Sequence, residues 1–216
     1  MHNRDELIPI LRGVSHALAV PLAVAATAFL LVVAQPGPAR LAALVYGIGM
    51  CMLFTGSALF HRLRCAPHVR SLLNRIDHSA IYVFCAASYT PVALLVLDGW
   101  ERSASLALVW AGALGGITLS VAWETAPRVL RTLTYVALGW VIVLVFPALS
   151  ARMDIVPLLL FLAGGLLYSA GAVIYAVRRP NPWPHTFGFH ELFHALVIAA
   201  AVTHFVAMAG WVIPAA

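Results

Sequence analysis

The chain has 216 residues, 62% of them hydrophobic and only 10% charged, whereas a soluble domain is nearer half apolar and a quarter charged. This balance belongs to a polytopic membrane protein and excludes an ordinary soluble globule. All thirteen basic residues are arginine and the formal charge is +5, which reads as loop arginines orienting a membrane chain rather than as a nucleic-acid surface.

The N-terminal dozen residues are expected to form a short interfacial helix ahead of a single seven-span domain. The first apolar run, 14–34, is long enough to span and too long for a signal-peptide core, so no cleavable leader is expected. Further runs follow at 41–63, 77–97, 103–123, 130–149, 155–177 and 189–213. Polar or Pro/Gly-rich stretches separate them: QPGPAR, HRLRCAPHVRSLLNR, DGWER, ETAPR, SARMD and RRPNPWPHTFG. All seven should be helices, because lipid offers an open chain no other way to satisfy its backbone. The expectation is an all-α, seven-transmembrane bundle. Cys51, Cys65 and Cys85 show no C-x-x-C spacing, which argues against a disulfide framework or a thiolate metal site.

Ten of the thirteen arginines fall on the N-terminal side of this topology, and Arg40, Arg102 and Arg152 on the other. The positive-inside rule then puts the N-terminus in the cytoplasm and the C-terminus outside. Seven spans with this sidedness resemble rhodopsins, but a retinal Schiff base needs a lysine, and the chain has none.

Placing the titratable residues on this topology brings four to one depth. His61, in GSALFH, ends the second span; Asp77, in NRIDHS, begins the third; His190 and His194 begin the seventh. Residues i and i+4 share a helix face about 6 Å apart, so His190 and His194 can face one ion. Three imidazoles and a water would complete a tetrahedral zinc site of the catalytic type, with an open position. Asp77 is either a fourth ligand or the group that holds the zinc-bound water. Ser57, four residues before His61, shares its face and would orient that water or a substrate oxygen. Ionisable groups inside spans are costly and usually functional.

HELFH at 190–194 also matches the H-E-x-x-H of zinc metalloproteases, and Leu97–Asp98–Gly99 matches a triplet that intramembrane metalloproteases use for a third ligand. Asp98 lies at the outer end of the third span and His190 at the inner end of the seventh, with roughly 30 Å of hydrocarbon between them, so they cannot share an ion. Other polar residues read as structural. His16 sits early in the first span, on the cytoplasmic side and within reach of the site, and a structural role is expected of it. His78 points about 100° away from Asp77. His204 lies about 21 Å deeper than His190 at 1.5 Å per residue and is expected to hydrogen-bond to a Ser or Thr across the bundle. Glu191 is offset about 100° from His190, and Asp77 is better placed for the water. His2, His68 and His185 fall in exposed segments. Gly112, Gly115, Gly116, Gly164 and Gly165 suit close helix packing.

S-x-x-x-H at Ser57 and His61, the aspartate Asp77 and H-x-x-x-H at His190 and His194 resemble the pattern of the PAQR superfamily. RIDHSAIYVFCAASYTP and WPHTFGFHELFHALVIAAAVTHF look most like its bacterial hemolysin III branch, and SHALAVPLAV in the first span also fits. The resemblance covers the whole chain. It implies a multi-pass protein of the bacterial inner membrane with a zinc ion near the cytoplasmic face, held by His61, His190 and His194. Asp77 would match the aspartate that contacts the zinc-bound water, and Ser57 the serine beside it. The superfamily includes alkaline ceramidases, so the implied activity is hydrolysis of a lipid amide or ester, with membrane lipids as partners. A structural zinc in a membrane-homeostasis or signalling protein, or a pore, are the alternatives. Hormone reception is not implied, because the receptors' long N-terminal region is missing.

Overall fold

Among the described residues, eight α-helices build seven spans. The computed structural model describes residues 9–214, and the helices are α1 (Val14–Val33), α2 (Pro38–Arg62), α3 (Pro67–Leu95), α4 (Gly99–Ala122), α5 (Arg128–Gly139), α6 (Ile142–Ser150), α7 (Ile155–Val177) and α8 (Phe189–Ala207). A π-helical turn, Met208–Val212, continues α8. All seven spans are long and apolar enough to cross a membrane. Among the described residues there is no strand, only an isolated bridge between Trp183 and Phe187 in the loop before α8. Residues 1–8, and with them most of the expected interfacial helix and His2, lie outside the described residues. Residues 10–13 form a turn rather than a helix.

Consecutive helices α1 to α4 pack side by side, α7 lies against α8, and α8 returns against α1 to close the bundle. Lipid tails are as apolar as leucine, so this packing rests on close van der Waals contact and interhelical hydrogen bonds, not on expulsion of water. Small residues allow the approach. A Cβ on Gly47 would collide with Thr27, and one on Gly49 with Ala87. Of the glycines singled out in the sequence, Gly112, Gly116 and Gly164 have a side chain pressed against them, from Leu138, Tyr82 and His204 respectively. Gly115 has nothing nearby and Gly165 only the edge of Trp140, so these two are not packing points. Leu30, Tyr46, Phe54, Phe84 and Met208 form the centre of the packed side of the bundle. Leu18, Leu22, Val32 and Leu144 are among the apolar side chains left for lipid.

Two helix limits depart from the hydropathy pattern. α3 begins at Pro67, ten residues before the apolar run at 77. Hydropathy marks the depth of the hydrocarbon, and a helix does not have to end there. The polar extension is held by Glu124, in the α4–α5 loop, which accepts hydrogen bonds from Ser71 at 2.8 Å, Asn74 at 3.3 Å and Arg75 at 3.4 Å. These partners, Ser71 first, hold the Glu124 carboxyl below its ordinary pKa.

The second departure is the break in the fifth span between Gly139 and Ile142. A break in lipid frees backbone groups that must find partners. Tyr89 of α3 supplies both. Its hydroxyl donates to the Gly139 carbonyl and accepts from the Ile142 N–H, each at 2.6 Å. Beside it, the Trp140 indole donates to Ser169 of α7 at 2.9 Å.

Candidate metal centre

His61 stands in the last turn of α2, and His190 and His194 in the first two turns of α8, at the end of the bundle where most of the arginines gather. One candidate ligand atom from each of the three rings lies within 4.8 Å of the others. His61 Nε2 and His190 Nε2 are 3.2 Å apart. Zn–N bonds of about 2.0–2.1 Å in tetrahedral geometry put nitrogens roughly 3.4 Å apart, so this pair is already spaced for one ion. His194 is 1% exposed, and its Nδ1 has no hydrogen-bond partner. Three neutral imidazoles, one with an unsatisfied buried nitrogen, fit a borderline-soft divalent cation such as zinc.

Asp77 stands beside the trio rather than within it. Its Oδ2 is 3.8 Å from His61 Nε2, and no group of three ligands tight enough for an ion includes it. Ser57, buried one turn before His61, lies next to Asp77. At this crossing of α2 and α3, a Cβ on Gly56 would press on the Ile76 side chain at 3.3 Å and make ordinary contact with the Asp77 Cα at 3.8 Å. All five sequence-derived residues therefore sit together.

Behind them opens a cleft of about 2130 Å³, bounded by His61, Asp77 and His190 at one end and by Phe161, Tyr168 and His204 deeper in the bundle. Ligand pockets for drug-sized molecules are typically about 300–1,000 Å³, so this space is long enough for an extended apolar chain. Tyr175 of α7 sets the edge of its ring against His190, centroids 5.7 Å apart.

Of the residues outside the five, some behave as the sequence suggests and others do not. His16 does approach the site: it is 2% exposed, and its ring stacks on His194 with centroids 3.8 Å apart and planes 8° from parallel. Glu191 is also buried, pairs with Arg12 and accepts from the Gly188 N–H at 2.8 Å. The G-x-x-E spacing at the head of α8 carried that signal, since a glutamate at the third helical position commonly reaches back to the cap. His204 finds a backbone acceptor instead of the expected Ser or Thr: its Nε2 lies 3.2 Å from the Phe161 carbonyl. His78 bonds the Asn74 carbonyl of its own helix at 2.8 Å, the structural role expected of it. His68 and His185 are exposed. Asp98 pairs with Arg102 at 2.9 Å, twenty-one residues and roughly 30 Å along the bundle from Asp77, far from the histidines.

The family described as "Haemolysin-III related" matches residues 6–205 of the chain. The chain belongs to that family. The match takes in the whole histidine cluster, from His61 through His194. Among similar haemolysin-III and PAQR proteins, "Hemolysin-3" of Bacillus cereus is 30% identical over 210 residues, covering 96% of this chain and 93% of its own. "Monocyte to macrophage differentiation factor" of Homo sapiens is 27% identical over 198 residues, covering 90% of this chain and 80% of its own. "Heptahelical transmembrane protein ADIPOR2" of Oryza sativa subsp. japonica is 31% identical over 191 residues, covering 80% of this chain and 82% of its own. This range of relatives accords with the hemolysin III branch of the PAQR superfamily.

Proposed function

We propose that this haemolysin-III related protein is a zinc-dependent hydrolase of a lipid amide or ester, working at the cytoplasmic face of a bacterial inner membrane. One observation carries the reading: three histidine nitrogens from two helices converge within 4.8 Å, with a carboxylate at their side and a long apolar cleft behind. Three protein ligands leave a position open, which is the mark of a catalytic rather than a structural zinc site. When bound, zinc would supply Lewis acidity, polarising a carbonyl and making water acidic near neutral pH. His61, His190 and His194 would hold it.

The rest of the chemistry belongs to side chains. Asp77 accepts a proton from the attacking water and returns it to the leaving amine or alcohol. Ser57 orients the water or the substrate oxygen from beside that carboxylate. The apolar cleft takes the acyl chain and admits substrate from the bilayer. Arginine counting supports the cytoplasmic side, with the N-terminus inside.

The test is turnover by the purified, zinc-loaded protein in lipid nanodiscs against a panel of N-acyl and O-acyl lipids, with products identified by mass spectrometry. Release of a fatty acid that disappears in His190→Ala is the expected result. A wild-type protein that binds zinc and cleaves none of the panel contradicts it.

A further inference from the structure

The start of the first span touches the candidate centre at three points in five residues. Arg12 donates to the buried Glu191 carboxylate, between the two histidines of α8. Gly13 lies directly against His61, where a Cβ would collide with the His61 Cβ. Its φ of 74° is left-handed, so the turn into α1 favours glycine on two counts. His16, one turn on, stacks flat on His194. The segment is itself tied down: Ile10 and Leu11 donate their N–H groups to the carbonyls of His185 and Thr186, in the loop that leads into α8, at 3.0 and 3.2 Å.

From these contacts we infer that Arg12 and His16 are positioning residues, which fix the first two turns of α8 so that His190 and His194 face His61. This rests on reading the three imidazoles as a metal centre. The physical reason is the length of α8's first turn. Its backbone N–H groups have no partner within the helix. Glu191 can satisfy one of them, at Gly188, only while its carboxylate is held in place, and a carboxylate in a buried setting is stable only if paired. Arg12 supplies the pair through a guanidinium with several donors. His16 restricts the plane of the His194 ring, which has no hydrogen bond at Nδ1 to fix it. Groups that orient ligands commonly change metal affinity about 10- to 100-fold when removed.

The experiment measures zinc affinity by chelator competition, and the visible absorption bands of the Co²⁺-loaded protein, for Arg12→Ala and His16→Ala. Arg12→Lys keeps the charge and His16→Phe keeps the stacked ring. Leu30→Ala is the control, a fully buried position at the opposite end of α1. Affinity is expected to fall about 10- to 100-fold in both alanine variants, with shifted Co²⁺ bands, and to recover largely in Arg12→Lys and His16→Phe. Leu30→Ala lowers thermal stability and leaves affinity unchanged. Wild-type affinity and spectrum in the two alanine variants overturn the inference, as does an equal loss in Leu30→Ala. If the wild type binds no metal, the proposed function fails. Hydrogen exchange then decides this inference alone: faster exchange confined to residues 188–194 in Arg12→Ala upholds it, and unchanged exchange there overturns it.

Discussion

On helix α8, buried His194 and half-buried His204 have opposite surroundings. His204 has a partner for its Nε2, the Phe161 carbonyl, and a fitted bed: the rings of Phe161 and Tyr168 at its edges and Gly164 beneath it. His194 has a nitrogen without a partner and three other imidazoles around it. A buried polar group left unpaired costs about 1–3 kcal/mol, so such a nitrogen calls for an explanation, of which a bound ion is one. The difference separates a histidine whose surroundings already satisfy it from one that keeps a nitrogen without a partner among several imidazoles, and it is the ground on which His194, and not His204, is proposed as a metal ligand.

The largest effect should separate these two residues. His194→Ala is expected to abolish lipid hydrolysis, while His204→Ala leaves turnover within a few-fold of wild type and costs about 1–3 kcal/mol of stability through the lost hydrogen bond and the gap left over Gly164. Equal loss of turnover in both, measured in the same nanodiscs, would break the comparison. Asp77→Asn sharpens it next: zinc stays bound, and turnover falls about 10²- to 10⁴-fold, the usual contribution of a general base. Loss of zinc in Asp77→Asn would make the aspartate a ligand instead. Gly164→Val forces a side chain into the His204 ring and should lower stability by about 1–3 kcal/mol, as overpacking does, with zinc content unchanged.

The smallest effect concerns pH and lies outside the spans. Glu124's depressed pKa means that it contributes stability above its ordinary value of 4.5, and that this contribution is lost as pH falls through the lower folded value. Acid unfolding of Glu124→Gln should therefore be less steep than that of wild type in this window, with no change near neutrality in zinc content. Identical acid unfolding curves would remove Glu124 from the account of the α3 extension.

Much of the site was legible because topology does the long-range work. Alternating spans return to the same face, so His61, Asp77 and His190 share a depth however the helices pack, and i,i+4 spacing aligns His194 with His190. The contribution of α1 was not legible in the same way. Whether His16 meets His194 depends on α8 packing back against α1, a contact between the two ends of the chain that no local pattern encodes. The limits of α3 and the break in the fifth span escaped for a related reason. Hydropathy reports where lipid is, whereas Glu124 and Tyr89 stabilise those features by hydrogen bonds from distant segments.

The most direct measurement of the central claim is the metal content of purified wild-type protein beside His61→Ala, His190→Ala and His194→Ala. Close to one zinc per chain in the wild type, and almost none in each variant, is the predicted result. A folded wild-type protein without zinc, or variants that retain it in full, would contradict the account.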